Sequence, residues 1–133
     1  LTRDYLTTPL TERNLTWHLE TTKSAMRVVE KDIILSKEMK EKASDASAYS
    51  LILRSRTLYI IDCLKKSKMW NKRDFLALVK NVSGSTNSYD RYLSAKNKNT
   101  LDYKLSLEEA EKLMNYINKK ILELEKWLKE KKD

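Results

Sequence analysis

Glycine and proline are almost absent from this sequence, which has one of each among 133 residues. Sheet proteins and nucleotide-binding folds of alternating strands and helices need many tight turns, and tight turns favour these two residues. Their scarcity argues against both classes. The hydrophobic fraction of 41% and the charged fraction of 35% suit amphipathic helices. The sequence therefore predicts a single all-α domain over residues 1–133.

Cysteine and histidine are equally scarce, with only Cys63 and His18. A lone cysteine cannot form an internal disulfide, and one histidine with one distant cysteine cannot supply the ligands of a zinc site. No glycine-rich phosphate loop and no matched pair of catalytic acids is found either. We therefore expect no enzyme activity, no metal and no cofactor. A cytoplasmic protein with a reduced, buried thiol is the default expectation.

Long apolar runs are missing as well. No stretch reaches the roughly 18 apolar residues that a membrane-spanning helix needs, so we expect no association with a membrane. The chain begins with Leu1 rather than Met and shows no signal-peptide pattern. We therefore expect either a fragment of a longer polypeptide or a processed chain.

Two long helices are predicted from seams in which core residues recur at alternating steps of three and four. The first helix would run from Pro9 to about Ala43. The second would begin after Ser106, which forms a capping box with Glu109. Matching seams favour antiparallel packing in one core, and a bundle or homodimer of two molecules is the alternative. The seam residues are Leu15, Leu19, Thr22, Met26, Val29 and Ile33 in the first helix, and Leu107, Ala110, Met114, Ile117, Ile121, Leu124 and Leu128 in the second.

The most apolar stretch is LILRSRTLYIIDCL at residues 51–64, which predicts a central helix from an Asp45 cap to about Ser67. Arg56 lies within its apolar arc, while Arg54 and Asp62 lie on the opposite side. Three interpretations of Arg56 are open. It reaches out of an incompletely covered arc, it pairs with a carboxylate such as Glu30 or with helix-end carbonyls, or it lines a cleft and binds an anion. The predicted arc comprises Tyr49, Ile52, Leu53, Tyr59, Ile60, Cys63 and Leu64.

Two shorter helices are predicted between the central and the last helix. Asn71 can cap the first of them, with Asp74 at the third helical position. Gly84 follows that helix directly, where a left-handed residue would end it. The segment SYDRYLSAK at residues 88–96 predicts the second short helix.

Positive charge is concentrated in residues 65–104, the basic segment. This segment has ten Lys and Arg against three acids, whereas residues 1–64 have a net charge of +1 and residues 105–133 have none. Aromatic residues interleave with the cations, and this combination favours contact with a polyanion such as DNA or RNA. Solvation alone, an acidic protein partner and an anionic membrane surface are the alternatives. The predicted nucleic-acid-binding residues are Lys65, Lys66, Lys68, Trp70, Lys72, Arg73, Lys80, Ser85, Tyr89, Arg91, Tyr92, Lys96 and Lys98, with Arg56 as an anion site.

The tracts LRSRTLYIIDCL, DFLALVKNVSGS and SYDRYLSAK resemble the helical portion of archaeal HEPN-like bundles, which accompany minimal nucleotidyltransferases. The resemblance covers residues 10–130 at the level of architecture. Ribonuclease members of that family carry an Arg followed a few residues later by His. Here that spacing occurs at Arg13 and His18, at the start of the first helix rather than late in the bundle. The resemblance therefore implies a member without nuclease activity.

These features predict an all-α bundle that binds nucleic acid or nucleotide phosphate through the basic segment. Such a domain would be an accessory to a nucleic-acid-processing system, without catalysis of its own. Electrostatic docking and aromatic stacking would dominate, with little direct readout of bases. The competing hypothesis is a protein–protein interaction or dimerisation bundle that binds no nucleic acid.

Overall fold

The computed structural model describes residues 12–85, 89–90, 92 and 105–132, and this part of the chain contains helices and no strand. The predicted all-α class is confirmed. We number the helices α1 (Glu12–Glu38), α2 (Asp45–Lys65), α3 (Lys72–Ser83) and α4 (Leu107–Lys132). Of the second predicted short helix, Tyr89, Asp90 and Tyr92 are helical, and the remainder lies outside the described residues, as does Pro9.

The two long helices pack against each other through their predicted seams. Every seam residue of α1 is buried, including Thr22 and Met26. Lys23 of α1 pairs with Glu125 of α4, and Lys37 pairs with Glu111. Because the partner's number falls as the number in α1 rises, the two helices run in opposite directions. Both ion pairs lie at the margin of the shared core.

The buried face of α4 is wider than one seam. Leu113 is 1% exposed although it was not assigned to the core, whereas Met114, which was assigned, is half-buried. The cause is that α4 packs against α1, α2 and α3, and not against a single helix. Three neighbours cover positions on both sides of the predicted seam.

The central helix α2 is buried around most of its circumference, so the predicted one-sided arc is wrong. Leu51, Leu58 and Ile61 lie outside that arc and are at most 1% exposed, whereas Tyr49 lies within it and is 36% exposed. Contacts with α1 on one side and α4 on another produce this burial. A helix that is apolar on most sides is typical of the centre of a bundle.

Local hydrogen bonds fix where the helices begin and end. The hydroxyl of Ser44, rather than the side chain of Asp45, caps α2 by accepting from the Ser47 amide at 3.2 Å. The Asp32 carboxylate in α1 also accepts from the hydroxyls of Ser44 at 2.9 Å and Ser47 at 2.6 Å. These bonds tie the start of α2 to α1, which ends at Glu38 and not near Ala43.

The predicted caps of α3 and α4 are confirmed. The side chain of Asn71 accepts from the Asp74 amide at 2.8 Å. Gly84 ends α3 with a φ of 92°, a left-handed conformation that glycine adopts without strain. The Ser106 hydroxyl accepts from the Glu109 amide at 3.2 Å and donates to the Glu109 carboxylate at 3.0 Å.

The helices of the described residues were also compared with the requirements of a bilayer. None of them is both long enough and apolar enough to cross a membrane.

Candidate nucleic-acid interface

A chain of aromatic rings runs from α2 across residues 89–92 to α3. The rings of Tyr49 and Tyr92 are stacked with their centres 5.1 Å apart, and Tyr92 lies 5.8 Å from Tyr89. Tyr89 then meets Phe75 of α3 at 6.2 Å, and Phe75 meets Tyr59 of α2 at 5.7 Å. Such contacts are favourable beyond the apolar area that they bury. They bring part of the basic segment onto one face of α2.

Two cations lie over aromatic rings at this face. The guanidinium carbon of Arg56 is 5.2 Å from the centre of the Trp70 ring, and the ammonium nitrogen of Lys72 is 5.6 Å from the centre of the Tyr89 ring. A cation over a ring face is attracted by the negative charge of the π system. We call Tyr49, Arg56, Trp70, Lys72 and Tyr89 the aromatic–cation surface.

The position of Arg56 decides between the three interpretations of this residue. Its side chain is half-buried and reaches out of the helix to cover Trp70, and it forms no ion pair with Glu30. Burial raises the pKa of the Tyr92 hydroxyl, and the positive charge of Arg56 acts on it in the opposite direction. Arg56 therefore lies close to the tyrosines as well as to Trp70, at the rim of the core.

Trp70 belongs to the linker between α2 and α3, and its indole is half-buried. The indole N–H is enclosed and finds no acceptor among the described residues. The guanidinium of Arg56 is thus the polar group that the structure places against this ring. The contact joins the linker to α2.

Two of the predicted cations are engaged with the fold. Lys65 lies 3.8 Å from the Asp62 carboxylate and 5.6 Å from the centre of the Trp127 ring, which attaches the end of α2 to α4. Lys66 lies 3.1 Å from the same carboxylate, but 60% of its side chain is exposed. Asp62 therefore offsets part of the positive charge at the start of the basic segment.

The exposed cations are on the linker and on α3. Lys68, Lys72, Arg73 and Lys80 are all exposed. Arg73 and Lys80 are seven residues apart and share one side of the helix, about 10 Å from each other along its axis. Lys72 and Arg73 occupy the first two positions of α3, where the helix dipole favours acids and disfavours cations.

Two predicted residues do not offer the exposed groups that were expected of them. The Ser85 hydroxyl donates to the Glu109 carboxylate at 2.7 Å, which holds the end of α3 against α4. Tyr92 is only 5% exposed, so its ring supports Tyr49 instead of presenting a face to a base. Arg91, Lys96 and Lys98 lie outside the described residues.

Tyr49 is the residue of this surface that sequence reasoning assigned to the core. Its ring is stacked on Tyr92 and remains 36% exposed. A signal was present in the sequence, because Tyr49 and Arg56 are seven residues apart and must share one face of a helix. The partly exposed Arg56 therefore implied an exposed Tyr49.

The described residues contain no cluster of three or more His, Cys, Asp or Glu side chains that could hold a metal ion. His18 is half-buried, and its ring meets the Trp17 ring edge-on with the centres 5.0 Å apart. Burial lowers the pKa of the imidazole, and the nearby charge of Arg54 lowers it further. This setting disfavours the charged imidazolium form.

No protein-family model, curated protein or solved structure matches this chain. The resemblance to HEPN-like bundles therefore stays a prediction, and the function has to be argued from the residues of the aromatic–cation surface.

Proposed function

We propose that this chain is a non-catalytic domain that binds nucleic acid through the aromatic–cation surface and the exposed cations of α3. The observation that carries the proposal is the pairing of cations with partly exposed rings at one face: Arg56 with Trp70, and Lys72 with Tyr89. A phosphate backbone requires the cations, and an unpaired base can stack on the rings.

The charge distribution supports binding rather than solvation alone. Exposed cations follow one another through the linker and α3, while the acids among these residues are Asp62, which pairs with lysines, and Asp74, which participates in the helix cap. A surface of this sign attracts polyanions, and every neutralised phosphate releases condensed counterions. Solvating charge would have been equally useful on the neutral α4.

The start of α3 supports the same proposal. Lys72 and Arg73 stand at the two positions where a positive charge weakens a helix by up to about 1 kcal/mol at low salt. Their presence there has no structural benefit that the described contacts reveal beyond the ring contact of Lys72. A role in binding an anion accounts for both residues.

The aromatic rings favour single strands over duplexes. Tyr49, Trp70 and Tyr89 are each partly exposed, and a base in a duplex cannot stack on such a ring without leaving its partner. Recognition would be largely independent of sequence, because every base has a π face. In the HEPN-like context that the sequence resembles, the domain would deliver a strand or a nucleotide phosphate to an associated nucleotidyltransferase.

Fluorescence anisotropy with labelled single-stranded and duplex DNA and RNA at low salt tests the proposal. We expect binding of single strands that Lys72→Gln/Arg73→Gln weakens about tenfold or more, since two phosphates are no longer neutralised. The matched control is Lys119→Gln/Lys126→Gln, which removes two exposed charges from α4. Absence of binding by the unmodified chain, or equally weakened binding in both variants, would overturn the proposal.

A further inference from the structure

The outer face of α1 carries a second line of residues at alternating steps of four and three. Trp17, Thr21, Ser24 and Val28 form this line, which we call the outer seam. It lies about 180° around the helix from the buried seam, given a period of 3.6 residues per turn. Trp17 is 61% exposed and Val28 is 69% exposed, and the line continues to the exposed Leu35.

Large apolar side chains in a line on an exposed helix face are unusual for a helix that already has a core on its other side. A shallow cavity runs along the outer seam and is lined by Glu20, Thr21, Ser24, Ala25, Val28 and Arg54. The small side chains at its centre leave room for the close approach of another helix.

We propose that the outer seam is the interface of a homodimer in which two copies of α1 pack antiparallel about a twofold axis. The axis would pass over the middle of the cavity, between Thr22 and Lys23. Trp17 of one copy would then lie against Val28 of the other, and Thr21 against Ser24. A twofold interface requires such reciprocal contacts, since each surface meets its own copy. The paired segment is about 16 Å long at the rise of an α-helix.

Charge complementarity selects the second copy as the occupant. Glu20 and Arg27 are exposed, seven residues apart and on the same flank of the outer seam. In an antiparallel pair this flank faces its own copy, so Glu20 of each molecule would meet Arg27 of the other. The present contacts of the two residues, Glu20 with Lys23 at 3.6 Å and Arg27 with Ser24 at 3.0 Å, are local and exposed. Two symmetric ion pairs would therefore form across the axis at little cost.

A charge exchange tests both the dimer and its register. Analytical ultracentrifugation of the full chain over a range of concentrations should show a monomer–dimer equilibrium. Glu20→Arg and Arg27→Glu should each weaken dimerisation roughly tenfold, because each creates two like-charge contacts. The double variant should restore the dimer, since it re-forms both ion pairs with exchanged signs. Within one helix the two residues are two turns apart, so their direct interaction cannot explain a rescue.

A second pair of variants tests the apolar part of the interface. Val28→Glu should abolish the dimer, whereas Leu122→Glu should not, although Leu122 on α4 is equally exposed at 68%. A wild-type chain that stays monomeric up to its solubility limit would overturn the proposal. A dimer that survives Val28→Glu, or single charge variants that are not rescued by the double variant, would overturn it as well. A monomer destabilised by Val28→Glu would also overturn it, because another segment of the same chain would then cover the outer seam.

Discussion

The guanidinium carbon of Arg56 lies 5.2 Å from the centre of the Trp70 ring. This contact explains how an arginine is accommodated among the apolar residues of the central helix. Its aliphatic stem can pack along the rim of the core while the charge stays near solvent, as long cationic side chains commonly do. The contact also holds the linker that begins the basic segment against α2. We infer that Arg56 belongs both to the scaffold and to the binding surface.

Replacing Arg56 should separate these two contributions. Arg56→Met keeps a long apolar stem and removes the charge, so we expect binding of single-stranded nucleic acid to weaken by about three- to tenfold, because the guanidinium can no longer bind a phosphate or cover the ring. The midpoint of thermal unfolding should change little. Anisotropy titration and circular dichroism measure the two effects.

The control for that experiment is Arg54→Met. Arg54 is two residues away, is also half-buried, and turns toward α1, where it donates to the Thr21 hydroxyl at 3.4 Å. We expect it to leave binding unchanged. Equal weakening by both variants would mean that net charge alone, and not the aromatic–cation surface, determines affinity.

Removing the cations at the start of α3 should stabilise the protein while it impairs binding. Lys72→Gln/Arg73→Gln eliminates two charges that oppose the helix dipole, so the free energy of unfolding should rise by about 0.5 kcal/mol at low salt. Urea denaturation followed by circular dichroism measures this change. A clear decrease in stability would show that these cations serve the fold, and the argument for a functional role would fail.

The Asp32 carboxylate is predicted to be a major anchor between α1 and α2. It accepts from the Ser44 amide at 3.3 Å as well as from the two hydroxyls, and Ser47 is only 4% exposed. Burial raises the pKa of this carboxyl, but the hydrogen bonds from Ser47 and Ser44 outweigh that effect and lower the pKa below its usual value. Asp32→Asn should reduce the free energy of unfolding by about 1–2 kcal/mol, because charge-assisted hydrogen bonds are removed.

Glu30→Gln provides the comparison, since Glu30 is an exposed acid on the same helix. It removes the same charge without those hydrogen bonds, and we expect a change within about 0.5 kcal/mol. Similar effects in the two variants would contradict the anchoring role of Asp32. Chemical denaturation at neutral pH is the appropriate measurement.

His18 should make stability depend on pH in weakly acidic solution. It is the only histidine, and its folded-state pKa lies below the unfolded value of 6.5 because of burial and the charge of Arg54. The unfolded chain therefore binds more protons between these two values, so its contribution to stability is present above about pH 6.5 and is lost as the pH falls. The free energy of unfolding of His18→Asn should vary less between about pH 7.5 and pH 5 than that of the wild type. Equal pH profiles would contradict this assignment.

Features that depend on neighbouring residues in the chain could be predicted from the sequence. The caps at Asn71 and Ser106, the left-handed Gly84 and the buried seam of α1 are of this kind, because each needs only its own helix. The burial of α2 on several sides and of Leu113 could not be predicted, since both depend on how many helices pack against one. Of the candidate site, the cations were predicted from charge, whereas the Arg56–Trp70 contact and the buried Tyr92 result from tertiary packing.

The salt dependence of binding tests the central claim most directly. If α3 contacts the phosphates of a single strand, log K for the wild type should fall linearly with log salt concentration. The slope for Lys72→Gln/Arg73→Gln should be smaller by about 0.7 for each phosphate that is no longer neutralised, while the slope for Lys119→Gln/Lys126→Gln should match the wild type. Binding that does not depend on salt, or a slope that the α3 variant leaves unchanged, would contradict the proposed interface.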